Sequence, residues 1–489
     1  MTGRGGSIAA AVRDRARTAG AHPAISHEGH TISYRELAAA AGRFAAVVAE
    51  LPGGAPVAVP AYRTPATVAA ILGVLLAGRA YLPLNPADPV ARQRTVLSAA
   101  GSTHVVGGEP GAFGDLTRLE PPQLDQPDSP QWTEREAGEL ACVFFTSGST
   151  GVPKGVPIAH RNASAFVDWA SAEFDLGPAD RIGVYAPLFF DLSTFDLFVG
   201  LRAGATLVLV GDDEAKFAKA SAERLRAERI TVLYTVPSAL LELVAAAGAP
   251  PVFDDLRLLL LAGETFPAPQ LDTVRAAAPR ARLHNLYGPI ESNVVAHFPV
   301  PADWPPGEPV PVGTPVSGAT LALLDGHGAL VDGPGTGELL ISGPSLFDGY
   351  LATAAPPPDP FLTVAGRRWY RTADLAGRDA DGVYRFHGRT DSRIKNRGFL
   401  VELAEVEHAL GACPGLASAA VVAVESTMHA FVVPADGTGI TVRVLRRWLA
   451  GQLPRYMWPA EYHVVAALPL GRTGKVDRSR LAACIGAER

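Results

Sequence analysis

The sequence predicts an α/β protein built on a parallel sheet covered by helices on both faces. Short apolar runs recur through the middle of the chain at 141–145, 181–186, 205–210, 230–234, 256–261 and 282–287. Most are separated by stretches of helical period, such as 216–228 and 238–247. Strands alternating with helices bury both faces of a parallel sheet. Three polar, glycine-bearing segments follow the runs: Thr-Ser-Gly-Ser-Thr after Phe145, Ala-Gly-Glu-Thr after Leu261 and Gly-Pro-Ile-Glu after Tyr287. Open α/β sheets bind ligands beyond the carboxyl ends of their strands, so these segments mark a candidate site.

The pattern changes further along. Residues 299–315 are rich in proline and read as a crossing between subdomains. The alternating stretches 319–324 and 338–342 read as an antiparallel region, and 388–398 is dense in charge and glycine. Beyond it come a helix at 403–410, strands at 419–424 and 430–433, and a helix at 442–452. These form a separate C-terminal domain of about a hundred residues. A chain of 489 residues exceeds a single core.

Composition excludes several classes. Hydrophobic residues make up 48% and charged residues 19%, as in globular rather than disordered chains. A net charge of −6 argues against a nucleic-acid partner. Cys142, Cys413 and Cys484 have neither metal-site spacing nor a disulfide framework, and read as thiols in a reducing cytoplasm. The first apolar run is broken by Arg13, Asp14 and Arg15, unlike a signal peptide, and no uncharged run reaches membrane-spanning length.

The segment Thr146-Ser147-Gly148-Ser149-Thr150-Gly151-Val152-Pro153-Lys154-Gly155 suits phosphate. Its glycines let the backbone approach an anion, its hydroxyls donate to phosphate oxygens, and Lys154 adds positive charge. It is not a Walker-type loop, because Pro153 precedes the lysine. The segment resembles the phosphate loop of the adenylate-forming superfamily, which includes acyl-CoA synthetases, luciferases and the adenylation domains of nonribosomal peptide synthesis. Colinear likenesses extend along almost the whole chain: ISYREL from Ile32, LLAGRAYLPLNP from Leu75, FFDLSTFDLF from Phe189, NLYGPIE from Asn285, GELLISG from Gly337, YRTADL from Tyr370, GRTDSRIKNRG from Gly388, LPRYMWP from Leu453 and RTGKVDR from Arg472.

The resemblance implies a large N-terminal region, 1–389, of two parallel α/β subdomains plus a small β-rich subdomain. A hinge at 390–391 would join it to a mobile α+β C-terminal domain, 392–489. It implies ATP and Mg²⁺ as cofactors and a reaction without an enzyme nucleophile, in which the substrate carboxylate attacks the α-phosphate. The protein's task is then to position the reactants and neutralise charge. Glu291 would hold Mg²⁺, where the bland reading is a helix-start carboxylate. Asp374 would bind the ribose hydroxyls. Tyr287, Gly263, Glu264 and Thr265 would form the adenine pocket, and Gly288 would also bind ATP. Arg389 would reach the ribose or phosphates, Lys475 would meet both the α-phosphate and the substrate carboxylate, and Asp391 would be the hinge residue.

Asp191, in the FDLS segment, matches the aspartate that pairs with the α-ammonium group in amino-acid-activating members; its bland reading is a helix N-cap. The remaining pocket positions are Leu192, Phe195, Tyr234 (or Thr235, if the register slips), Leu260, Ala262, Leu286, Val294 and Val295, with Lys475 on the carboxylate. This apolar set is similar to that of freestanding prolyl-AMP ligases and implies L-proline. D- or L-alanine, pipecolate, valine and small non-protein amino acids are the alternatives. No phosphopantetheine attachment motif follows the lysine segment, so the expected acceptor is a separate phosphopantetheinylated carrier protein. Three residues depart from the family pattern. Ile290 replaces a phosphate-binding threonine, Ala373 a glycine, and Leu400 an arginine. An acyl- or aryl-CoA synthetase, and a catalytically weak paralogue acting as a binding partner, are the competing readings.

Overall fold

The computed structural model describes residues 7–108, 113, 116–124, 139–147, 153–248, 251–265, 268–305, 307–351, 359–390, 393–396, 398–424, 427–435, 439–469 and 476–487. The chain divides into two compact units. One comprises 1–86, 100–144 and 156–388, and the other 87–99, 145–155 and 389–489.

The first unit holds the parallel sheet that the alternation predicts. Arg181–Val184, Thr206–Leu209, Val232–Thr235, Leu258–Leu261 and Arg282–Tyr287 are parallel neighbours within a nine-stranded sheet. The proline-rich crossing does more than connect subdomains. Ala296–Val300 and Thr314–Pro315 add antiparallel at one edge, where a proline costs no ladder bond. At the other edge lies the hairpin Pro23–His27/His30–Ser33. Ser33 then starts the helix Tyr34–Ala49 through a capping box with Glu36. The predicted helix 216–228 is split by Phe217, whose extended backbone (φ −124°) separates the short turn Glu214–Lys216 from the helix Ala218–Ala227.

The two faces of this sheet bury different cores. Tyr234, Leu258, Leu260 and Leu286 join a large cluster that reaches the helices Tyr34–Ala49 and Pro65–Leu76. Leu233, Leu259, Leu261 and Leu283 pack on the opposite side. The strands thus read as continuous apolar runs because both faces are covered. A six-stranded sheet includes Val57–Pro60, Tyr81–Leu84, His104–Val106 and Leu140–Thr146. A five-stranded antiparallel sheet is built from Thr320–Leu324, Gly335–Ser342, Phe361–Val364, Arg367–Arg378 and Tyr384–Arg389. These correspond to the second parallel subdomain and the β-rich subdomain of the expected architecture.

In the second unit a hairpin, Arg393–Asn396/Phe399–Glu402, leads to the helix Leu403–Gly411. A three-stranded sheet of Leu416–Val424, Thr427–Pro434 and Glu461–Val464 follows, with the helix Val442–Ala450. Val401, Val406, Val421, Val432, Leu445 and Leu449 form its core. Among the described residues no helix is long and apolar enough to cross a membrane.

Candidate active site

The first unit gathers the eight apolar residues singled out for the substrate pocket. Leu192, Phe195, Tyr234, Leu260, Ala262, Leu286, Val294 and Val295 all lie in one buried cluster. Period-two geometry explains the convergence. Tyr234 pairs with Leu260 in parallel register, so both point to the same face, and Ala262 follows two residues on. Thr235 pairs with Leu261 and faces the other way. Phe195 meets Tyr234 edge to face at 5.5 Å. Val294 and Val295 return to the cluster because the chain reverses after Tyr287. Val295 N donates to Tyr287 O at 2.8 Å, and the next strand runs antiparallel. Gly288 permits this reversal, since a Cβ there would stand 1.6 Å from Asn293 O. A strand follows the turn, so Glu291 does not start a helix.

Asp191 lies beside this cluster, in the turn that follows Arg181–Val184. Burial first, then the charges of Asp191 and Asp196, push the Tyr234 hydroxyl well above the ordinary phenol range. Burial, with Asp191 adding to it against a hydrogen bond from Tyr81, likewise keeps the Cys142 thiol protonated. Asn293 Nδ2 donates to Asp191 O at 3.4 Å, tying the two loops together. A small, partly open cavity adjoins Asp191 and is lined also by Tyr81, Cys142, Asn162, Ile290 and Ser345. None of the eight apolar residues lines that cavity. Asp196 was not foreseen. It is wholly buried in the π-helical turn Phe195–Val199, neither of its carboxylate oxygens is hydrogen-bonded among the described residues, and burial holds its carboxyl well above the ordinary range.

The nucleotide-side residues take different places. Tyr287 and Asp374 are both buried, and the Tyr287 hydroxyl donates to the Asp374 carboxylate. A bulge aims Asp374 inward: Glu338 pairs with Leu375 and Leu340 with Arg371, so three residues, 372–374, oppose Leu339. Ala373 sits in this bulge at φ +59°, so the position does require the positive φ that glycine would supply without strain. Gly263 turns the chain at φ +83°. The Glu264 carboxylate accepts from Ser238 N and Ser238 Oγ, both at 2.9 Å, at the start of the helix Pro237–Ala247. Thr265 is exposed.

In the second unit Ser147 Oγ donates to Leu400 O at 2.6 Å and accepts from Glu402 N at 3.0 Å. Lys154 Nζ pairs with Glu402 at 3.2 Å. Two residues expected to meet phosphate are thus engaged with one strand, and Leu400 takes part through its backbone, so its side-chain departure leaves this contact intact. Thr146 ends the strand Leu140–Thr146 and Arg389 ends Tyr384–Arg389. Gly148, Ser149, Thr150, Asp391 and Lys475 lie outside the described residues.

Residues 12–351 match the AMP-binding enzyme family, and residues 405–475 match the AMP-binding enzyme C-terminal domain. This chain belongs to the AMP-binding enzyme family. An L-proline–[L-prolyl-carrier protein] ligase of Streptomyces coelicolor is 37% identical over 86% of this chain and 85% of its own length. Another ligase of the same name, from Pseudomonas fluorescens, is 34% identical over 94% and 95%. Among solved structures, the Vibrio cholerae adenylation domain AlmE, in complex with glycyl-adenosine-5'-phosphate, has a TM-score of 0.83 at 25% identity, covering 98% of this chain and 97% of that one.

AMP-binding enzymes use ATP, and Glu291 suits a hard cation carried in with the nucleotide. It is buried, Tyr350 Oη donates to its Oε1 at 2.7 Å, and no hydrogen bond to its Oε2 occurs among the described residues. One carboxylate oxygen left to act as a ligand matches Mg²⁺, which takes one or two protein carboxylates and completes its shell with phosphate and water. No group of three or more His, Cys, Asp or Glu side chains placed to hold a metal ion occurs among the described residues. Sequence reasoning missed Tyr350, Glu402 and Asp196. Their roles depend on contacts between distant segments, and no local spacing signals them.

Proposed function

We propose that this AMP-binding enzyme activates L-proline to prolyl-AMP and passes it to the phosphopantetheine thiol of a separate carrier protein. The observation that carries the reading is Asp191 beside a buried wall that is apolar but for the Tyr234 hydroxyl. A carboxylate so placed suits the substrate's ammonium group, while the wall accepts a small hydrocarbon ring and penalises polar side chains. The two L-proline–carrier protein ligases, similar over most of their length, support the same substrate and acceptor.

In the first step a carboxylate oxygen of proline bonds to the α-phosphorus of ATP. The bond to the bridging oxygen breaks, and pyrophosphate leaves with the electron pair. Asp191 orients the ammonium group, Asp374 and Tyr287 hold ribose and adenine, and Lys475 and Arg389 offset charge at phosphorus. Mg²⁺, held by Glu291, would neutralise phosphate charge when bound. Residues 1–389 act as the binding core, 390–391 as the hinge and 392–489 as the mobile part that brings Lys475. In the second step the carrier thiol attacks the prolyl carbonyl, loses its proton, and AMP departs.

Amino-acid-dependent ATP–pyrophosphate exchange tests this across L-proline, pipecolate, both alanines, valine, β-alanine and benzoate. L-Proline is expected to lead, and Asp191→Ala to abolish its exchange. Another amino acid in the lead would discard proline, and benzoate in the lead would discard amino-acid activation altogether.

A further inference from the structure

The contact between Tyr350 and Glu291 does more than fill space. Tyr350 Oη donates to Glu291 Oε1 at 2.7 Å across 59 residues of sequence. The backbone repeats the link, as Phe347 N donates to Glu291 O at 2.8 Å. The segment that carries both donors is held from several sides. Asn162 Nδ2 donates to Pro344 O and Leu346 O, both at 2.8 Å, while Asn162 Oδ1 accepts from Ala159 N at 2.9 Å. Arg161 pairs with Asp348, and Arg368 donates to Asp348 O at 2.7 Å. The Phe347 ring, 1% exposed, meets Tyr350 edge to face at 5.0 Å and packs also on Phe361 and Tyr370. Gly349 adopts φ +150° between them, a conformation that L side chains rarely take.

A lone carboxylate on a turn rotates about its side-chain torsions. A hydroxyl bonded to one of its oxygens fixes the plane of the group and the direction of the other. The hydroxyl is neutral, so it orients Glu291 without cancelling the charge a cation needs. We propose that Tyr350 is a positioning residue. It holds the Glu291 carboxylate so that Oε2 is presented to the divalent cation of the bound nucleotide. The proposal rests on the adenylation reading of the site and adds to it a residue and a purpose.

The test is the Mg²⁺ dependence of ATP binding, measured by calorimetry without amino acid, on the full chain and its Tyr350→Phe and Glu291→Gln variants. Phenylalanine keeps the ring and its packing and removes only the hydroxyl. Loss of an outer-shell partner lowers metal affinity about 10–100-fold. Tyr350→Phe is therefore expected to raise the Mg²⁺ concentration for half-maximal ATP binding at least about tenfold, with Mg²⁺-free binding and the melting temperature near wild type. In pyrophosphate exchange the requirement for Mg²⁺ should rise in parallel, with kcat recovered at saturating Mg²⁺ and the KM for amino acid unchanged. If Glu291→Gln shifts the Mg²⁺ half-point and Tyr350→Phe does not, Tyr350 only packs and the proposal fails. If neither variant shifts it, the cation is not held at Glu291 and the metal assignment fails with it. A Tyr350→Phe protein that melts early with an unshifted half-point likewise overturns the proposal.

Discussion

At the scale of single residues, the bulge at 372–374 shows a conflict between backbone and side chain. Thr372 Oγ1 donates to Leu339 O at 2.7 Å and accepts from Asp374 N at 2.9 Å, while Ala373 N reaches Glu338 Oε1 at 3.2 Å. These bonds hold Ala373 at φ +59°. An L-residue there costs about 1–2 kcal/mol, against about 0.4–1 kcal/mol gained over glycine in the unfolded chain. Ala373→Gly is therefore expected to stabilise the protein by about 0.5–1 kcal/mol. The midpoint of urea unfolding should rise, and a fall would mean that the methyl group makes a contact worth more than the strain. The sequence shows that glycine is missing from this position but not that the backbone turns left there. The turn is set by Glu338 and Leu339 on another strand, and no local pattern records them.

At the scale of elements, the sheet was far more legible than its margins. Alternation of apolar runs and helical stretches locates the five parallel neighbours, because strands buried on both faces must be continuously apolar. Period two then places Tyr234 and Leu260 on one face. What the pattern does not reveal is the aromatic layer behind them. His284 and His297 stand on neighbouring antiparallel strands, stacked at 4.9 Å, with Nδ1 of the first 2.7 Å from Nε2 of the second. Phe174 packs edge to face on both and on Phe195, so the layer backs the apolar wall. Burial, then neighbouring His297 and Arg282, holds His284 down to about 4, and burial also lowers His297 against the pull of Glu173. A histidine lowered in the folded state gives stability that is present above its ordinary value near 6.5 and is lost as pH falls towards 4. Each such group contributes at most about 1.4 kcal/mol per pH unit. Urea unfolding measured from pH 7 to pH 4 should show wild type losing stability steeply, and His284→Asn losing less per pH unit. Parallel slopes would mean that other groups carry the acid sensitivity.

At the scale of the whole molecule, the division into two units does not follow the chain. The helix Val90–Ala99 and the segment 145–155 precede residue 389 in sequence but belong with the C-terminal residues. Charge explains the attachment of the helix. Arg92 Nη1 pairs with Glu405 at 2.5 Å and Arg92 Nε with Asp88 at 3.4 Å, and the Arg92 and Glu405 side chains are only 9% and 2% exposed. Around them Phe399 stacks on Tyr456 at 3.4 Å, and Asn396 Nδ2 donates to Tyr456 O at 2.6 Å. Breaking a buried pair by removing one partner costs about 3–5 kcal/mol, because the other charge is left uncompensated. Asp88 softens that loss in this unit, so Glu405→Gln is expected to cost about 3 kcal/mol, the lower end of the range. Hydrogen exchange read peptide by peptide checks both the size and the reach of the effect. If the unit opens cooperatively, Val90–Ala99, Leu403–Gly411 and Val442–Ala450 should lose protection together, while the parallel strands of the first unit keep theirs. Loss confined to Leu403–Gly411 would show that the helix Val90–Ala99 is held by its own chain neighbours. The ion pair would then be a consequence of the unit's assembly and not a cause of it.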